Sequence, residues 1–254
     1  MPTLIRPASR EVRTWAFDSR RWFRYRPRSD DIVVATYPKC GTTWMQRIVG
    51  MLVLGSPEPF SIHDLSPWID ARFRRPLEEV IGGLEAQTRR RFIKAHLPLD
   101  ALPFYDGVSY IHVARDGRDA CASFHSHATA FTPAVLATFD RIGAEDERVG
   151  RPYPRVAPDF RSFYLDWVAP EAAAPPRPML DFFAFEDSWW AERARPNLLL
   201  VHYNDLKADL AGEMRRIAGF LGIGCPDDLL ARLVEAAGFE AMRGHDIGRM
   251  LDSP

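Results

Sequence analysis

The chain has 254 residues, with Lys+Arg 33 against Asp+Glu 34 and a formal net charge of -1. That length fits one large α/β domain or two small ones, is ample for a hydrophobic core, and the sequence is read as a single domain over residues 1–254. An apolar content of 46% and a charged content of 26% exclude wholesale disorder. Balanced charge argues against a nucleic-acid partner. Cys40, Cys121 and Cys225 lie far apart in no CxxC or zinc spacing, so neither a disulfide framework nor a metal site is expected. The longest apolar run, near Ile48–Leu54, is broken by Gly50 and too short to span a bilayer, and the first residues lack the apolar core of a secretory signal. These readings place the chain in the cytoplasm and leave its oligomeric state open.

In chain order, the first 30 residues read as an irregular lead-in with one short helix. Ile32-Val33-Val34-Ala35-Thr36 is a compact β-branched run, predicted as a buried parallel strand. Apolar residues at 44, 45, 48, 49 and 52 predict a helix from Thr43 to Leu54, stopped by Gly55. Pro76 opens a second helix. Arg91–His96 and Ser109–Ala114 read as strands, and Asp116–Ala130 as a helix. Seven prolines between Pro152 and Pro178 predict long loops, with a helix near Phe160–Val168. Asn197–Tyr203 reads as a buried strand, Asp205–Leu221 as one continuous helix, and Pro226 opens a last helix to about Ala237. Alternating strands and helices imply an α/β fold, a parallel sheet flanked by helices on both faces.

The sharpest local signal is Thr36-Tyr37-Pro38-Lys39-Cys40-Gly41-Thr42-Thr43-Trp44. A buried strand ends, the chain turns through a glycine, and a helix begins whose first amides have no internal partner. With the helix dipole and Lys39 they form an anion site. An ordinary glycine turn capped by Thr42 or Thr43 accounts for the threonines, but not for a lysine in the turn. In the nucleotide loop GxxxxGK[ST] the lysine follows the second glycine, whereas Lys39 precedes Gly41.

The order Tyr-Pro-Lys-x-Gly-Thr-Thr-Trp resembles the 5′-phosphosulfate loop of sulfotransferases that use 3′-phosphoadenosine 5′-phosphosulfate (PAPS). Three further segments match in order. Lys94-Ala95-His96-Leu97-Pro98 is similar to the family's Lys-Thr-His-x-Pro step; two residues apart on a strand, Lys94 and His96 face the same side. Val113-Ala114-Arg115-Asp116-Gly117-Arg118-Asp119, running on to Ser123, is similar to its 3′-phosphate region. His202-Tyr203-Asn204-Asp205-Leu206 resembles its Tyr-Glu-Asp-Leu step.

The resemblance covers residues 30 to 245 and implies a P-loop-like sulfotransferase fold. It implies His96 as the base that removes the acceptor proton, and Lys39 and Lys94 as charge stabilisers. It implies the loop Lys39, Cys40, Gly41, Thr42, Thr43 for the 5′ end of the cofactor, and Arg115 and Ser123 for its 3′-phosphate. Trp44, Tyr203 and Phe239 would flank the adenine. Asp116 and Asp119 read as helix-start charges, and His125 and His127 as polar helix residues. The acceptor is expected to be a hydroxyl of a small molecule or glycolipid, with Ser66-Pro67-Trp68-Ile69 and the Phe182–Trp190 segment as candidate apolar lining. The family's Phe-x-Arg-Lys-Gly segment and the Gly-Asp-Trp after it do not occur, so a cofactor-closing part of the site is expected to be missing, with the Arg89-Arg90-Arg91 run as a candidate substitute. The alternatives are a non-catalytic binder of PAPS or its product PAP, and a P-loop kinase.

Overall fold

The computed structural model describes residues 1–169, 180–238 and 241. Its centre is a four-stranded sheet built from β2 (Ile32–Thr36), β3 (Phe92–Ala95), β5 (Ser109–Ala114) and β6 (Leu198–His202). The order is β3-β2-β5-β6 and every pairing is parallel, as the alternation of predicted elements requires. Two short strands, β1 (Leu4–Arg6) and β4 (Phe104–Tyr105), pair antiparallel beside it.

The period-two geometry of a strand divides β2 between two cores. Ile32 and Val34 pack with Met45, Ile48 and Val49 of α1 (Thr42–Leu54), Met214 and Ile217 of α9 (Leu210–Phe220), and Leu230 and Leu233 of α10 (Asp227–Ala237). Val33 and Ala35 face the other layer. That layer is α3 (Leu77–Ala86), α4 (Gly117–Thr129), α6 (Phe160–Val168) and α7 (Phe182–Trp190), preceded in the chain by the one-turn α2 (Ile62–Leu65). Because both faces are covered, all five residues of β2 are buried, which is why the run reads as continuously apolar.

Three segments differ from the sequence reading. The predicted helix 205–221 is two helices, α8 (Tyr203–Ala208) and α9, because Asp209 leaves helical geometry and its carboxylate accepts the Gly212 N–H at 2.8 Å. A short side chain that competes for backbone amides favours a cap over a helix interior. Residues 133–144, for which the sequence reading names no helix, form α5 (Pro133–Ala144), with Thr132 as N-cap and Pro133 in the first turn. Its Phe139 joins Trp15, Val149 and Tyr153 in a separate small core. The Phe182–Trp190 segment is a helix whose Phe182, Phe185 and Trp189 are buried, two of them against Tyr37 at 5.0 and 5.4 Å. Its apolar face props up the turn after β2.

Candidate active site

The site lies at the carboxyl ends of β2, β3 and β5, where open parallel sheets place ligands. After β2 the chain makes a tight turn in which the Cys40 N–H donates to Tyr37 O at 3.2 Å. Pro38 sits at its second position and Lys39 at its third with φ 72, the left-handed conformation a type II turn demands there. Lysine is an unfavourable residue for that conformation, at a cost of about 1–2 kcal/mol. Gly41 follows with φ 102, and a Cβ there would meet Tyr203 Cδ2 at 2.8 Å. Two independent constraints therefore require glycine at 41.

Gly41 is also the N-cap of α1 and has no side chain with which to cap it. The first bond inside the helix runs from Met45 N to Gly41 O, so the amides of residues 42–44 precede the helical ladder. Lys39 is held below the usual lysine range by burial and by Arg115. Cys40 contributes backbone rather than chemistry: its side chain is fully buried in the core, and burial pushes the thiol up. The Thr42 hydroxyl points inward, 2.5 Å from the Thr36 hydroxyl.

His96 stands beside this loop. Its Nδ1 lies 2.7 Å from Thr36 O, and its backbone N–H donates to Asp70 Oδ2 at 3.1 Å. A carbonyl oxygen only accepts, so Nδ1 carries the proton. Burial, then Lys94, hold the imidazole well below its usual range, so it is neutral at pH 7. The lone pair of a neutral ring with Nδ1–H is on Nε2. Nε2 is hydrogen-bonded by no described residue. Lys94 is buried, its ammonium 3.7 Å from the centre of the Trp68 ring, and that ring meets the His96 ring edge-on at 4.9 Å. Trp68 is thus the surface that gathers the two groups which strand alternation predicted to face the same way. Burial first, then Arg74, bring Lys94 down to about 7, with Asp70 opposing and Lys39 assisting.

Asp70, which sequence reasoning passed over, anchors this arrangement. Fully buried, it accepts Trp22 Nε1–H at 3.2 Å, Trp68 Nε1–H at 2.8 Å and the His96 amide. Burial raises its pKa, and these donors act against that. His127 reads from the sequence as a polar helix residue. Burial, Lys39 and Lys94 bring it to about 4, which places it in the field of the same cations, whereas His125 is tied to Ala157 O at 2.9 Å.

Arg115 follows β5. It donates from Nη1 to Lys39 O at 3.1 Å, stacks 4.6 Å from the Tyr203 ring centre, and lies 3.7 Å from Asp119. Its Nε is buried without a partner among the described residues. Asp116 caps α4 through the Arg118 amide at 2.9 Å. Ser123 is half-buried two turns along α4 and makes no hydrogen bond with a described residue. Tyr203 and Trp44 meet edge-on at 5.5 Å, and the Trp44 indole N–H is satisfied by Ala237 O at 2.8 Å. Phe239 lies outside the described residues. Two arginines of the run are structural: Arg91 Nε donates to Asp31 Oδ1 at 2.7 Å, and Arg90 to Asp30 O and Leu221 O.

An uncapped helix start, two lysines and a fixed neutral histidine on an α/β sheet define a group-transfer enzyme that handles anions. The profile of the sulfotransferase domain matches residues 29–253. A glycolipid sulfotransferase of Mycobacterium tuberculosis is 36% identical over 248 residues, covering 89% of this chain and 73% of its own. Human sulfotransferase 1E1 is 27% identical over 241 residues, covering 92% and 72%. The fold matches mouse sulfotransferase SULT7A1, solved as a complex with PAP, at a TM-score of 0.63 and 20% identity over 86% of this chain and 67% of that one. The chain belongs to the sulfotransferase domain family, and it is an enzyme of sulfuryl transfer rather than a kinase.

Proposed function

We propose that the chain transfers a sulfuryl group from PAPS to a hydroxyl of a small-molecule or glycolipid acceptor, with His96 as the base. The observation that carries the reading is the 2.7 Å contact between His96 Nδ1 and Thr36 O, which leaves Nε2 as a lone-pair nitrogen beside Lys94. The mycobacterial glycolipid relative supports the acceptor class.

The residues present fit the donor. The uncapped start of α1 and Lys39, which has no carboxylate partner among the described residues, suit the 5′ anion. Arg115, with its buried Nε unpartnered among the described residues, suits the 3′-phosphate, and Ser123 supplies a hydroxyl on α4, the helix that follows it. Tyr203 and Trp44 offer flat surfaces for the base. When bound, PAPS supplies an electrophilic sulfur with a phosphate leaving group. The protein's part is proton handling and charge. Nε2 of His96 accepts the hydroxyl proton, Lys94 and Lys39 stabilise negative charge as it builds, and Trp68 walls the acceptor side. The free thiols of Cys40, Cys121 and Cys225 fit a reducing compartment, and we place the reaction in the cytoplasm.

Incubation with sulfur-labelled PAPS and a panel of phenolic and glycolipid acceptors tests this. Labelled sulfate should pass to an acceptor hydroxyl; labelled PAPS that binds and is never transferred to any acceptor would contradict it.

A further inference from the structure

Arginines 72, 74 and 75 follow one another in the connection between α2 and α3, and they are treated differently by the fold. Arg72 reaches Asp146 Oδ2 at 2.6 Å, and Arg75 reaches Asp64 Oδ1 at 2.9 Å. Arg74, half-buried between them, has no ion pair and no hydrogen bond with a described residue. Its guanidinium lies 5.5 Å from the centre of the Phe73 ring. Phe73 meets Trp68 edge-on at 5.4 Å, and Trp68 is the ring that touches both Lys94 and His96. Burial alone holds Arg74 below the usual arginine range, and Arg74 in turn lowers Lys94. The guanidinium is therefore within electrostatic reach of Lys94, one aromatic ring removed from Trp68. Partly burying a cation without an anion is unfavourable, and the planar fork of arginine fits the paired oxygens of a carboxylate, phosphate or sulfate. Lys39 and Lys94 answer the charge of the donor; Arg74 is left over.

We propose that Arg74 is an oxyanion subsite for the acceptor, so that the chain sulfates hydroxyls of molecules that also carry an anionic group, held by Arg74 along the Phe73–Trp68 wall from His96. The inference rests on the sulfotransfer reading and narrows it, from any hydroxyl to that of an anionic acceptor. Arg74 then decides specificity, through binding rather than through the proton transfer.

The test is a binding measurement on PAP-loaded protein, read by tryptophan fluorescence, with a graded series of 4-hydroxyphenyl alkanoic acids and the matching primary amides. In the parent protein the best-fitting acid should bind roughly tenfold or more tightly than its amide, the worth of one charge-assisted hydrogen bond. Arg74→Gln should bring acid and amide to parity, and Arg74→Lys should keep part of the preference. Acids binding no more tightly than amides across the series, or a preference that survives in Arg74→Gln, would overturn the subsite. A parent without an acid preference refutes the subsite with no variant needed, and should Arg74→Gln fold poorly, the change of the ratio in Arg74→Lys carries the comparison. Sulfate transfer is measured separately. Transfer without any acid preference refutes the Arg74 subsite alone, whereas an acid preference without transfer refutes the sulfotransfer reading alone.

Discussion

The Nδ1 of His96 lies 2.7 Å from the carbonyl oxygen of Thr36, the last residue of β2, so the end of one strand sets the tautomer of a side chain that follows its neighbour β3. The parallel register makes this possible: Ala35 is paired with Ala95, which brings the next residues of both strands together. Thr36 is also joined to Thr42 at the start of α1. His96, the proposed base, and the start of α1, the proposed phosphate loop, are therefore positioned by the same residue.

Asp70 holds the same histidine from the other side. In Asp70→Asn one oxygen must serve three N–H donors, and the amide nitrogen faces at least one of them. Loss of a buried hydrogen bond costs about 1–3 kcal/mol, so urea unfolding should show a loss of that size. Turnover should fall while PAP affinity changes less, because the displaced groups are His96 and Trp68 rather than the phosphate loop. Parent-like turnover in Asp70→Asn would show that Asp70 does not position the base.

Lys94 makes a prediction about pH. Burial lowers its pKa in the folded protein to about 7, below the ordinary lysine range it has when unfolded. Between those two values the unfolded chain binds the extra proton, so stability rises as pH rises through that window. Each unit of difference is worth about 1.4 kcal/mol, so the penalty of the charged lysine below pH 7 is on the order of several kcal/mol. Lys94→Met should raise the stability of the ligand-free protein at neutral pH and flatten the slope above it. The same substitution should lower turnover. Denaturant melts from neutral pH to the lysine range read both effects of the charge on folding, and an unchanged slope would contradict the burial of this ammonium.

Backbone strain and charge at Lys39 separate in two variants. Lys39→Ala and Lys39→Gly both remove the ammonium, and both should weaken PAP binding. Only glycine is at ease at φ 72. Lys39→Gly should therefore be more stable than Lys39→Ala by about 1 kcal/mol, the left-handed penalty. Equal melting curves would argue against the turn geometry, and unchanged PAP affinity against the phosphate-loop assignment.

Arg115 should recognise the 3′-phosphate. One charge-assisted hydrogen bond is worth about 1.5–3 kcal/mol, so calorimetry should find PAP binding roughly tenfold or more tightly than AMP. Arg115→Met should erase that difference. Equal affinity of the parent for PAP and AMP would remove Arg115 from nucleotide recognition.

What the sequence disclosed was whatever is local to a few residues. The strand–turn–helix around Lys39 and Gly41, the alternation that pairs Lys94 with His96, and the buried run of β2 all follow from spacing within one segment. The tautomer of His96, by contrast, depends on Thr36, sixty residues away. Asp70 reads as an ordinary surface acid until three N–H donors from separate segments converge on it, and Arg74 differs from Arg72 and Arg75 in having no carboxylate partner among the described residues. The break at Asp209 and the cap-plus-proline start at Thr132-Pro133 were legible local signals, the first overridden by the strong periodicity of 205–221.

The most direct test of the account is His96→Asn. The asparagine amide can reproduce the Nδ1–H donor to Thr36 O, so the variant keeps the bond that positions the residue and loses the Nε2 lone pair together with the ring contacts to Trp68 and Phe17. With sulfur-labelled PAPS and a saturating hydroxyl acceptor, turnover should fall by about 10²–10⁴-fold, the usual worth of a general base, while PAP affinity stays close to that of the parent. Parent-like turnover in His96→Asn would contradict the claim that Nε2 of this histidine takes the acceptor proton.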